Sequence, residues 1–164
     1  MSNQIFVRFV PIGNTASVPG EIRAEGYKDF HEFFSSDVGF ERSSTTGVPF
    51  FNRLVMSRNY AFSSGGLVRN TLAQGQFAIE VHVVQLFGTR FRTIALTELR
   101  GARLLKYRTT AVAGESVPRE EYEFDFAQLL WTYYILRTDG TVNGLTRTGW
   151  NLVTNQPISS LPPI

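Results

Sequence analysis

At 164 residues the chain can hold one compact domain with its own core and is too short for two. Its hydrophobic content of 43% and its fourteen phenylalanines exclude general disorder, and the absence of cysteine excludes disulfides, thiolate metal sites and a cysteine nucleophile. A formal charge of only +2, from sixteen basic and fourteen acidic residues, argues against a surface built for phosphate backbones.

Gln4 to Val10 opens as a strand, with Ile5, Val7 and Phe9 on one face and Phe6 and Arg8 on the other. Pro11, Gly13, Asn14, Pro19 and Gly20 break it into a loop, and Tyr27 to Phe34 reads as an aromatic-rich strand. The polar stretch Ser35 to Pro49 reads as a long loop, a kind of segment that often carries function. Phe50 to Met56 is predicted as a strand. Ser63 and Ser64 then stand where helix caps belong, before a helix from Gly65 to about Gln74 whose buried face is Leu67, Val68, Thr71 and Leu72 and whose left-handed terminator is Gly75.

Phe77 to Phe87, Phe91 to Glu98 and Gly101 to Tyr107 follow as an antiparallel meander, and Thr110 to Arg119 is a loop. From Glu120 the alternation places Tyr122, Phe124 and Phe126 opposite an acidic stripe of Glu121, Glu123 and Asp125. Beyond Ala127 both faces turn apolar around Trp131, so this strand must pass under something, either the helix or a neighbouring subunit. Asp139-Gly140 is a hairpin signal before a last strand that ends near Trp150 and Asn151. The expected fold is mainly β: an antiparallel β-barrel of two packed sheets, closed or nearly so, with one flanking α-helix over residues 1–155, and a flexible Pro-rich tail over 156–164.

No reaction centre assembles from these residues. The turn Gly114-Glu115-Ser116-Val117-Pro118 has proline where a nucleophile elbow needs glycine, and it joins two strands rather than a strand and a helix. His31 and His82 share strand faces with Asp29 and Glu80, and two histidines on wet faces are too few for a zinc site. Ser63 to Gly66 lacks a lysine at Walker spacing. No catalytic residue, metal or cofactor is therefore expected.

Fourteen of the sixteen basic residues are arginine, a bias that suits interfaces and that a GC-rich coding sequence would also produce. Arginines gathered with Phe91 and Tyr107 across the meander allow a single-stranded nucleic-acid-binding barrel as an alternative, and a small hydrolase is a third, weaker option. Pairing of Arg90, Arg92 or Arg103 with the Glu121, Glu123 and Asp125 stripe of another subunit, with apolar contact near Trp131, accounts for both charge signs and needs no nucleic acid.

The ordered set of Gln4 to Phe9, Pro49-Phe50-Phe51, the segment through Leu67, Leu72 and Gly75, Glu121 to Gln128, Trp131-Thr132-Tyr133, Asp139-Gly140 and Gly149-Trp150-Asn151 resembles the haemolysin-coregulated protein (Hcp) family. That family forms the tube of type VI secretion. The resemblance runs from Gln4 to Asn151. The first third matches loosely, and both the arginine excess and the proline-containing tail depart from the family pattern. It implies six-membered rings stacked into a hollow tube that is driven by a contractile sheath and carries a spike and effectors. Phage tail-tube proteins are similar, so a phage-like injection particle is the close alternative.

In the place of the family's ring-stacking loop stand Ser36, Asp37, Glu41, Arg42 and Thr45. Residues Met1 to Val10 show no signal-peptide pattern, and no apolar run is long enough to span a membrane. The expectation is a protein made in the cytoplasm, without direct membrane insertion, that leaves through the type VI apparatus.

Overall fold

The computed structural model describes residues 2–164, and its strands sit where apolar and polar side chains alternate. In chain order these are β1 (Gln4–Ile12), β2 (His31–Phe33), β3 (Ser35–Asp37), β4 (Phe40–Arg42), β5 (Pro49–Phe51), β6 (Leu54–Asn59), then helix α1 (Ser64–Leu72), followed by β7 (Gln76–Phe87), β8 (Arg90–Thr110), β9 (Arg119–Asp125), β10 (Gln128–Leu136), β11 (Val142–Asn151) and β12 (Gln156–Ile158). One sheet has the order β12-β11-β10-β8-β7-β1-β2, and a second runs β3-β6-β9-β8. Every pairing is antiparallel.

The two sheets share β8, which is a single strand of 21 residues rather than the two expected from the sequence. Gly101 does not end it. At φ +65° this glycine bends the strand from one sheet into the other, and an added Cβ would lie 3.0 Å from the Cβ of Ala127. The adjacent segment between β9 and β10 turns the same corner at Phe126 and Ala127, where the Ala127 N–H donates to the Arg100 carbonyl at 2.9 Å, so β9 and β10 bend in step with β8. On the far side the chain crosses between sheets at Phe34, whose N–H bonds the Ser57 carbonyl at 3.0 Å. The expected barrel is not realised as a closed ladder. Two packed sheets are joined by strands that change sheet, and the mainly β class with one helix stands.

The core lies between the sheets. Val7, Phe9, Ile79, Leu99 and Leu129 face Leu54, Met56, Tyr122 and Phe124, and all are buried. A second cluster, Phe6, Tyr27, Phe30 and Val84, forms on the other face of the larger sheet, where residues 20–30 fold back across it. Val84 shares this side with His82 by alternation along β7, and His82 packs on Tyr27 and Phe30. The predicted strand Tyr27 to Phe34 therefore reduces to three residues, because Tyr27 and Phe30 cap this second cluster and Asp29 takes a left-handed φ of 65°.

The helix departs from its expected caps. Ser63 makes no capping bond, and Leu72 is 81% exposed, leaving Leu67 as the apolar anchor. The left-handed residue after the helix is Gln74, at φ 59°, while Gly75 closes the turn through its N–H to the Asn70 carbonyl. Residues 156–158, read from the sequence as flexible tail, form β12 on β11, and Arg100 donates to the Pro162 carbonyl at 3.2 Å.

Candidate functional site

The stretch Ser35 to Pro49 is not the open loop that its polarity suggested. Ser36 and Asp37 lie in β3, opposite Met56 and Val55 of β6. Glu41 and Arg42 lie in β4, which pairs with β5 as a hairpin, and Thr45 sits in its turn. Cross-strand contact between Phe40 and Phe51 holds the hairpin together, with ring centroids 5.4 Å apart. Alternation over only three residues per strand is too short a signal to stand out from loop sequence, which is why the sequence alone does not reveal it.

This hairpin covers the doubly apolar strand. Trp131 of β10 packs 6.2 Å from Phe40 and 6.1 Å from Phe51, so the cover is the hairpin and not α1. It leaves a cleft of about 300 Å³ walled by Phe40, Phe51, Trp131 and Trp150, with Arg42 at its rim. Farther along β10, Tyr133 and Ile135 are 50% and 57% exposed.

The predicted charge partners divide into two groups along β8. Across β8 and β9, Arg103 stands opposite Asp125, Lys106 opposite Glu123 and Arg108 opposite Glu121. Glu123 lies 3.2 Å from Lys106 and 3.6 Å from Arg53, so it is paired within the chain. Asp125 Oδ1 is buried without a hydrogen bond. Arg90 and Arg92 lie at the opposite end of β8. Arg90 sits 3.6 Å from the exposed Glu25, and Arg92 faces a separate cleft beside Tyr27, His82 and Thr93. One chain thus brings Arg103 to the acidic stripe but not Arg90 or Arg92.

Sequence reasoning missed a buried polar cluster. Arg58 of β6 is 2% exposed, with its guanidinium 3.6 Å from the equally buried Glu120 carboxylate. Glu120 accepts hydrogen bonds from Ser64 at 2.5 Å, from Tyr122 at 3.0 Å and from Tyr107. Arg58 donates to Ser63, Ser64 and Tyr122 and stacks over the Phe33 and Tyr122 rings. The two serines thus serve this cluster rather than capping α1.

His31, read from the sequence as a wet-face histidine, is fully buried here. Its Nε2–H donates to the Val18 carbonyl at 2.9 Å, which leaves Nδ1 to accept from Arg58 at 3.2 Å and from Ser63 at 3.0 Å. Burial, together with the neighbouring Arg58 charge, pushes its pKa down to about 4. The signal was present in one respect: Glu120 was out of phase with the acidic stripe and on the Tyr122 face, which is the core face. On the other sheet face burial opposes ionisation of Glu80, yet hydrogen bonds from His82 and from bidentate Arg8 hold its pKa at about 2. Both clusters tie strands together.

A long strand passed between two packed sheets, a hairpin folded over the sheet and a short helix define the class: a two-sheet β domain with strands that turn its corners. Its particular form is the fold seen in solved Hcp structures. A solved type six secretion system protein superposes with a TM-score of 0.80 at 18% identity, covering 96% of this chain and 100% of that one. Hcp1 from Salmonella typhimurium gives 0.73 at 15%, covering 96% and 100%. The secreted protein Hcp3 from Pseudomonas aeruginosa gives 0.60 at 12%, covering 92% and 99%. No family model matches the chain, and no curated protein matches it by sequence.

Proposed function

We propose that this chain is a non-enzymatic inner-tube subunit of a type VI secretion system, assembling into hexameric rings that stack into a tube and carry effectors. The observation that carries this reading is the superposition at a TM-score of 0.80 over 96% of this chain and the whole of a type six secretion system protein. Near-complete coverage of both chains makes the likeness one of the whole fold rather than of a fragment. The apolar side chains Tyr133 and Ile135, exposed on an otherwise packed sheet, support burial against another subunit.

In this reading the segment with Ser36, Asp37, Glu41, Arg42 and Thr45 stacks one ring on the next. Arg90, Arg92, Arg103, Glu121, Glu123, Asp125 and Trp131 belong to the contacts between neighbours within a ring. Sheath and spike proteins are the partners outside the ring, effectors those inside it, and neither nucleic acid nor membrane insertion has a role. Among the described residues no helix is long and apolar enough to cross a membrane. The subunit is made in the cytoplasm and exported through the apparatus itself.

The test is the mass of the purified protein. Light scattering on a sizing column should give about six subunits, as a closed cyclic assembly requires, and negative-stain images should show rings with an open centre. A monodisperse monomer at tens of micromolar overturns the proposal.

A further inference from the structure

Phe62, just before α1, is 100% exposed, a rare state for a phenylalanine held in ordered backbone. It is not isolated. Phe34 and Tyr60, 54% and 58% exposed, line the same hollow, and Glu21 and Glu32 line it with them. Among the described residues Glu32 has no cationic partner, and Glu21 reaches Arg58 only at 4.0 Å. This surface is aromatic and acidic.

The cleft under the β4–β5 hairpin has the opposite sign. Its walls are Phe40, Phe51, Trp131 and Trp150, and Arg42 at its rim spends its Nε on the Gly47 carbonyl at 2.8 Å. Among the described residues no carboxylate lies within ion-pair distance of Arg42. A volume of about 300 Å³ is at the small end for ligand clefts and suits one aromatic side chain. The two surfaces share no residue, so a single copy presents both.

From these observations we infer that the Phe62 surface of one copy docks into the hairpin cleft of the next, Phe62 entering between the aromatic walls and Glu32 meeting Arg42. The occupant is a second copy of this chain because aromatic shape and charge sign both match. Contact between two different surfaces of identical chains is heterologous, the kind that builds closed rings or open stacks. The inference rests on the tube reading and adds which two surfaces meet.

The test uses the full chain in low salt, where the charge pair is least screened. Phe62→Asp should lower association at least tenfold with an unchanged circular dichroism spectrum, since Phe62 supports no packing within the chain. Phe40→Asp should do the same from the cleft side. Each variant keeps one good surface, so mixing them should yield a 1:1 dimer and nothing larger. Arg42→Glu should weaken assembly, and adding Glu32→Arg to the same chain should restore it; this pair decides the matter should Phe40→Asp fail to fold. If the unaltered chain assembles and Phe62→Asp assembles as well, the docking is wrong and the tube reading stands. If the unaltered chain is monomeric, both fall.

Discussion

Lowering the pH should destabilise this protein through His31 before its carboxylates respond. In the folded chain the Nδ1 of His31 accepts a hydrogen bond from Arg58, so a proton there would set donor against donor beside a fixed positive charge. Folding moves the pKa from 6.5 down to about 4. Between these values the unfolded chain binds a proton that the folded chain refuses, so stability falls as pH drops from about 6.5 to about 4 and then levels off. At about 1.4 kcal/mol per pH unit the loss is about 3 kcal/mol, a sizeable part of the roughly 5–15 kcal/mol that holds a typical domain.

Urea unfolding followed by tryptophan fluorescence, at fixed protomer concentration from pH 8 to pH 4, measures it. His31→Gln is the control, because an amide can donate to the Val18 carbonyl and accept from Arg58 without titrating in this range. The difference between the two proteins should be flat above pH 7 and shrink by about 3 kcal/mol across the window. A pH-independent difference would refute the assignment of the neutral Nε2–H form.

Other consequences can be checked in the same way. Glu80 has its pKa lowered from 4.5 to about 2, so the stability it contributes is present above pH 4.5 and lost as pH falls toward 2; Arg8→Met should remove much of that second acid phase. Arg58→Met should cost about 3–5 kcal/mol by leaving Glu120 buried without its counter-charge, and Glu120→Gln in the same chain should recover part of the loss in urea melts. Gly101→Ala should cost about 1–2 kcal/mol in thermal or urea unfolding, because the corner requires a left-handed residue and Ala127 leaves no slack. Glu121→Lys should weaken ring assembly at low salt with little change in the monomer's melting, and unchanged assembly there would make the stripe a solvated face. Trimming the turn at Ser43 to Gly47 should leave folding intact, because Phe40 and Phe51 remain, and should reduce tube formation seen by microscopy.

Local alternation was enough to read β1, β7, β9 and β10 from the chain, because side chains on a strand change faces every residue and only one face meets the core. Tyr122, Phe124 and Phe126 could be placed in the core, and Asp139-Gly140 at a turn, by the same means. Tertiary packing decided the rest. Gly101 reads as a strand end in sequence, yet it bends one strand across two sheets where Ala127, between the neighbouring strands β9 and β10, approaches it. Whether two sheets close into a barrel depends on how Phe34 meets Ser57, a pairing with no local pattern.

His31 and Arg58 look like surface residues by composition; they are buried because Glu120, Ser64 and Tyr122, distant in sequence, satisfy Arg58, and Val18 and Ser63 satisfy His31. The cover over Trp131 was equally illegible, since a three-residue strand carries too little alternation to announce itself. Sequence periodicity determines which face of a strand is apolar. What lies against that face is a long-range question, answered only when the sheets, the hairpin and the shared strand compete for the same buried volume.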